Sequence, residues 1–462
     1  MHADDPASDD TAIDDAGLQE EVVALTRDLI RLDTSNHPGN ETPAAELLRD
    51  YLAAAGVECE LVTRDPLRAN LVARIPGTSA GPSLAYVGHT DVVPADPRDW
   101  THPPFEAVVD DDGWLYGRGA VDMKNELAAR AVAMARLARE GFRPTGDLWL
   151  LAVADEEDGM ADVGMRWLLE ERPDIRPTYA LNEGGGERLE LADGRRMLTL
   201  GVGEKGTYPV RVSARGEAGH ASTPSVGRNA VPLLGELLRR VGTGMPQLRP
   251  HPLVAAMLEV LLDGRWDENG NGTSDLQEAL ARAGRLHPTF PDVLPALAGT
   301  TMAPTMLGAS PKRNVMPARA WVELDCRILP GTTEADVERE VRERLGDQVA
   351  YELDWPEPLI AGSSSEPHGP IVDAIGSFLA EEADDAQLLP MLGTGFTDSV
   401  YLRAAAGTTA YGFCPVRTTP AEVLEAGYHN ADERIHVDDL LLGARFHLWL
   451  ARRVLGGPDA AA

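Results

Sequence analysis

The sequence predicts an α/β protein, a sheet with helices on both faces, carrying a smaller inserted domain. Three observations lead there. Short apolar runs at 70–75, 83–88, 147–154 and 178–181 alternate with helical stretches, notably 125–140 (NELAARAVAMARLARE) and 163–171. The texture changes near Gly206, where TYPVRVSARG alternates as a half-exposed strand does. The chain has 462 residues, more than one ordinary core holds.

The elements follow in order. Apolar positions at helical spacing predict helices over 18–32 (LQEEVVALTRDLIRL) and over 43–55, the second opening on Pro43. After the four apolar runs, 207–216 begins a module of its own. It continues with a helix at 230–242, a long variable region, strands near 300–307 and 319–328, and an amphipathic helix over 333–345. Near 357 the first style returns, with a helix at 370–381, a glycine-rich turn at 393–395 and a strand at 408–413. The expected organisation is an acidic disordered tail over 1–17, a larger domain from 18–205 and 357–462, and an inserted α+β domain over 206–356.

Composition narrows the function classes. The formal net charge is -32, and only Lys124, Lys205 and Lys312 among the 42 basic residues are lysine. Such a surface repels nucleic acid and anionic membranes, so neither is an expected partner. The first residues, MHADDPASDDTAIDDAG, have no basic start and no apolar core, unlike a signal peptide. No run approaches a membrane span. Cys59, Cys326 and Cys414 are odd in number and far apart, which fits a reducing compartment. The expected location is cytoplasmic.

Active sites in open α/β sheets lie at the carboxyl ends of strands. Here successive elements each deliver a carboxylate or an imidazole to the same edge. His89 and Asp91 end VGHTDVVP. Asp122 closes GWLYGRGAVD just before a helix. Glu156 and Glu157 follow LWLLAVAD, Glu183 stands in NEGGG, and GYHNADE supplies His429 and Glu433. That many anionic groups at one edge repel one another and force protonation, and divalent cations remove the conflict. Two histidines and three carboxylates, one of them shared, would fill a two-metal site. Zinc suits this mixture best, with manganese or cobalt also suitable. Metals about 3.5–4 Å apart activate a water and polarise a carbonyl. Adjacent side chains in Glu156-Glu157 diverge, so one can bind metal while the other acts as base. Spacing alone does not say which.

HTDVVP, GRGAVDMK, ADEEDG, NEGGG, GHASTP and HNADE, in this order, resemble the aminoacylase family of co-catalytic zinc hydrolases. That family includes acetylornithine deacetylase, succinyl-diaminopimelate desuccinylase, glutamate carboxypeptidases and several dipeptidases. The resemblance spans about residues 20–450. It implies a zinc-peptidase-like domain with a central mixed sheet and an inserted lid or dimerisation domain. In the site, His89 would bind a metal while the Asp91 carboxylate orients its ring, and Asp122 would bridge both metals and precede a cis peptide. Glu156 would be the general base, and Glu157, Glu183 and His429 would complete the ligands. His220, in GHASTP, would reach the partner subunit's site and stabilise an oxyanion. Asn314, in NVMPARA, and Arg327, in LDCRI, would hold a substrate carboxylate. GTGFTDS would contact the same end of the substrate through the backbone around Gly395 and Thr397. The resemblance thus implies an enzyme cleaving an amide beside a free carboxylate, in an N-acyl amino acid or small peptide, as a homodimer through the inserted domain.

Other readings carry less. A non-catalytic metal carrier would need neither Glu156 nor His220. A nucleophilic hydrolase lacks a G-x-S-x-G elbow. Glu433 is read as supporting the His429 loop. His102, His251, His287, His368 and His436, with Asp96 and Asp99, match no motif. DENGNGTSDLQE (267–278) matches a calcium-loop pattern, with Asp267, Asn269, Asn271, Gly272, Asp275 and Glu278 in place. Ser274, however, stands where an apolar residue pins such loops. The plainer expectation there is a polar turn between helices.

Overall fold

A computed structural model of the chain describes residues 14–264 and 273–456. Most of the calcium-loop pattern and of the acidic tail lies outside the described residues. The first helix, Asp15–Ile30, starts inside the expected tail because the Asp14 side chain accepts from the Gly17 N–H as an N-cap.

Among the described residues the larger sheet has ten strands and is mixed. At its centre Leu84–His89 lies between Leu148–Val153 and Tyr179–Asn182, all parallel, and Thr409–Gly412 continues parallel beyond the last. Glu58–Val62 and Asn70–Ile75 add antiparallel strands on one side, and Arg196–Glu204 adds one on the other. Period-two alternation divides each central strand between two cores. Leu84, Tyr86, Leu148 and Leu150 join one apolar cluster, while Ala85, Val87, Trp149 and Leu151 join the other. Helices Asp15–Ile30, Lys124–Arg139 and Val437–Leu455 cover the first face, and Met165–Glu171 packs on Ser399–Ala406 on the second.

A second sheet of five strands forms from 206–354. Its long central strand, Arg319–Ile328, pairs with Val210–Arg215 on one side and with Thr301–Gly308 on the other. Ala230–Val241 and Glu334–Leu345 cover one face and share a separate apolar cluster with it. The helices Pro252–Leu261, Thr273–Ala283 and Phe290–Leu297 do not join that cluster. Leu253, Met257, Leu258, Leu276, Leu280 and Leu294 bury themselves in the core of the large sheet, where Pro252–Leu261 lies on the strand Gln387–Gly393. The segment 206–356 therefore supplies both the small sheet and a helical cover for the large one. The chain crosses between the sheets twice, at Glu204–Gly206 and at 360–363. The two crossings are tied by the Thr207–Ile360 bridge and the Ser363–Glu204 pairing.

Candidate metal centre

The carboxyl ends of the three parallel strands deliver the site. His89 is the last residue of Leu84–His89, Glu156 and Glu157 follow Leu148–Val153 after a short turn, and Glu183 follows Tyr179–Asn182. Asp122 sits just before the helix Lys124–Arg139, and the Asp122–Met123 peptide is cis. His429, at φ 56°, leaves the short helix Ala421–Gly427.

Two groups of ligand atoms converge, and Asp122 belongs to both: His89, Asp122 and Glu183 in one, Asp122, Glu157 and His429 in the other. Within each group the atoms lie within 4.8 Å of one another. Asp122 Oδ1 is 3.1 Å from His89 Nε2, and its Oδ2 is 3.1 Å from His429 Nε2. Glu183 Oε2 lies 3.5 Å from His89 Nε2, and Glu157 Oε2 lies 3.2 Å from His429 Nε2. Two nitrogen and three carboxylate ligands, one bridging, fit a pair of divalent cations. Orphaned atoms support the fit. Oε1 of both Glu157 and Glu183 is buried without a hydrogen-bond partner among the described residues.

The electrostatics carry the same signature. Burial resists charge on His89, but Glu183, Asp122 and Glu156 hold its pKa well above the imidazole range. Hydrogen bonds that His429 donates to the Asp122 and Glu157 carboxylates raise its pKa to about 10. Burial, then the charge of Glu183, pushes the Glu156 carboxyl well up. Protons here occupy the place that cations fill better.

Glu156 and Glu157 separate by position. Glu157 belongs to a ligand group. Glu156 belongs to neither, although both glutamates line one cavity of about 280 Å³ together with Asp122, Glu183 and His429, and with Glu126, Glu187, Phe396, Thr397 and Tyr428. Asp91 acts differently from the expectation. His89 Nδ1 meets the backbone carbonyl of Asp91 at 2.9 Å, and the Asp91 carboxylate lies farther off at 3.6 Å. That carboxylate accepts instead from the backbone N–H of Glu156 at 3.2 Å and of Glu157 at 3.1 Å. Asp91 thus fixes the glutamate turn, while its main chain aims the imidazole.

Glu433 braces the bridging residue. Wholly buried, it accepts from the N–H groups of Val121 and Asp122 through Oε1, and from Arg118 Nη1 and Gly119 N–H through Oε2. The next helix is anchored by Lys124, whose buried ammonium donates to the carbonyls of Leu29 and Leu32.

The residues of the small sheet stand apart. His220 is exposed in the two-residue strand Gly219–His220, paired with Val315–Met316, and Ala221 N–H donates to Asn314 O. Arg327 is ion-paired with Asp325 at 2.8 Å. None of His220, Asn314 and Arg327 is among the residues lining the cavity. Thr397 lines it, and its hydroxyl is engaged with Glu204 and Asn182, while Gly395 is exposed in the preceding loop. Sequence reasoning passed over Glu126, Glu187 and Tyr428. A signal was present: Glu126 follows Asp122 by one helical turn, Glu187 follows Glu183 by four, and Tyr428 precedes His429.

The profile of peptidase family M20/M25/M40 matches residues 85–453. Succinyl-diaminopimelate desuccinylase of Alkalilimnicola ehrlichii is 30% identical, over 89% of this chain and 93% of that protein. Aminoacylase-1 of Mus musculus is 28% identical, over 94% of this chain and 96% of that protein. In fold the chain is similar to an M20 family metallo-carboxypeptidase from Sulfolobus solfataricus (TM-score 0.68, 17% identity, 94% of this chain and 99% of that one). It is also similar to human carnosine dipeptidase 1 (TM-score 0.65, 14% identity, 95% and 97%). The chain belongs to peptidase family M20/M25/M40 and is a metal-dependent amidohydrolase of that family.

Proposed function

We propose that this chain hydrolyses the amide bond beside a free carboxylate in an N-acyl amino acid or small peptide, at a dinuclear centre bridged by Asp122. The observation that carries the reading is the Asp122 carboxylate set between His89 and His429, each with its own glutamate. His89 and Glu183, with Asp122, would hold one cation, and His429 and Glu157, with Asp122, the other. Zinc fits the donors best, and cobalt or manganese serve as alternatives. Bound there, such cations activate a water and polarise the scissile carbonyl.

The chain's own groups do the rest. Glu156, in the cavity and outside both ligand groups, takes the proton of the attacking water and passes it to the leaving amine. Arg327 and Asn314 hold the substrate carboxylate, the guanidinium by a bidentate pair. Backbone N–H groups around Gly395 and Thr397 meet the same end. His220 stabilises the oxyanion from a second copy of the chain, which is why it lies exposed away from the cavity.

The homodimer this requires forms through the small sheet. There Thr301–Gly308 is a sheet edge with Met306 56% and Leu307 71% exposed. The names of the desuccinylase and aminoacylase relatives favour N-acyl amino acids over longer peptides. The charge balance and the absence of any membrane-crossing helix among the described residues agree with a cytoplasmic enzyme.

The test is a hydrolysis screen on protein stripped by chelator and reloaded with zinc, manganese or cobalt. It uses N-succinyl, N-acetyl and long-chain acyl amino acids beside dipeptides. Metal-restored cleavage of a substrate with a free carboxylate, lost on its methyl ester, is expected. Cleavage indifferent to the carboxylate would contradict the roles of Arg327 and Asn314.

A further inference from the structure

We propose that Asn36 is a positioning residue, whose side-chain amide sets the turn that presents Glu156 and Glu157. The inference rests on the reading of those two glutamates given above. Asn36 is 5% exposed and comes from the loop between the first two helices, far in sequence from the turn. Its Nδ2 is 3.0 Å from Asp91 Oδ2 and 3.2 Å from Asp155 Oδ1. Both partners are carboxylate oxygens, so the NH2 group faces them.

Those two contacts bracket the turn. Asp155 precedes the glutamates and holds φ 63°, a left-handed conformation that needs support in a residue with a side chain. Asp91 accepts the N–H groups of Glu156 and Glu157 themselves. The neutral amide thus offers one N–H to each of two buried carboxylates that would otherwise repel. Arg68, paired with Glu41, lies 3.3 Å from the same Asp155 oxygen, Oδ1.

The backbone of Asn36 is itself fixed to the segment carrying Asp91. Its N–H donates to Val92 O at 2.9 Å, and the neighbouring Thr34 hydroxyl donates to Thr90 O at 2.7 Å. Its Oδ1 is buried without a hydrogen-bond partner among the described residues. An amide there is therefore not explained by hydrogen bonding on both of its ends. What the site uses is the pair of donors.

Removing groups that orient metal ligands lowers metal affinity or activity by about 10–100-fold. Cobalt-loaded Asn36→Ala is expected to show an altered visible absorption spectrum, metal affinity weakened within that range, and kcat lowered by a similar factor at unchanged KM. Asn36→Asp, almost the same shape, is expected to be worse than Asn36→Ala because it sets a third carboxylate against Asp91 and Asp155. A space-filling role predicts the reverse order. An unchanged cobalt spectrum, affinity and kcat, with only a lowered melting temperature, would overturn the proposal. Asn36→Ser, which keeps one short donor, carries the same readouts if Asn36→Ala does not fold. Wild-type protein that binds cobalt but hydrolyses nothing would count against the hydrolase reading alone, because the cobalt spectrum and affinity still decide the role of Asn36.

Discussion

Asp122 can bridge two imidazoles because another residue carries the burden of holding it. Glu433 accepts two N–H groups from Val121 and Asp122 and is paired with buried Arg118, so the segment before Asp122 has no freedom to drift. Glu433→Ala leaves Arg118 charged and buried without its partner. Breaking such a pair costs about 3–5 kcal/mol. Denaturant unfolding of the metal-loaded protein is expected to lose that much. A change below about 1 kcal/mol, the level of an exposed pair, would show that Arg118 finds another partner. At this scale much was legible from sequence, because His89, Glu156, Glu157 and Glu183 follow apolar runs that mark strand ends, whereas Asp122 precedes a helix and His429 follows one. The role of the Asp91 carboxylate was not. Two residues sharing a strand face suggested a side-chain contact to His89, but the chain turns after His89, and the backbone carbonyl reaches the ring first. Asn36 gave no signal, since its partners lie 55 and 119 residues away.

Among the elements, the helices Pro252–Leu261, Thr273–Ala283 and Phe290–Leu297 fill the stretch that the sequence offered as a long variable region. Sequence order assigned them to the inserted unit. Packing assigns them to the large sheet, where Pro252–Leu261 lies on Gln387–Gly393 and their leucines join the core that holds Leu198, Leu200, Leu389 and Leu392. Which core an amphipathic helix joins is a tertiary choice that periodicity does not contain. Leu258→Ala, at a wholly buried position, is expected to cost about 2–5 kcal/mol in the unfolding of the large domain. An unaltered large-domain transition, followed by hydrogen exchange in Leu148–Val153, would mean that the helices fold independently. The strand Arg196–Glu204 also escaped the sequence reading: its apolar residues are interrupted by Thr199, Gly201 and Gly203. Those glycines are needed because added side chains would strike Gly184 O and Ser363 O. The helix Val437–Leu455, absent from the sequence expectation, is amphipathic and buries Leu440, Phe446, Leu450 and Leu455. The runs that became central strands were found because burial on both faces makes them almost wholly apolar.

For the whole molecule, the telling residue is His220, which is exposed and is not among the residues lining the cavity. If His220 acts on the site of a second copy, two inactive variants repair each other. Mixing Glu156→Ala with His220→Ala, unfolding and refolding them together, forms mixed dimers in half of the cases, each with one intact site of two. Recovery of roughly a quarter of wild-type activity is expected from that symmetry argument. No recovery would mean that His220 serves its own chain or no chain at all. The claim on which the rest depends is the division of labour between adjacent glutamates, with Glu157 at the metal and Glu156 at the water. The most direct measurement is therefore kcat and metal content on one preparation of Glu156→Ala. The account predicts two metals per chain, as in wild type, with kcat reduced by about 10²–10⁴-fold. Full activity, or loss of a metal together with activity, would contradict it.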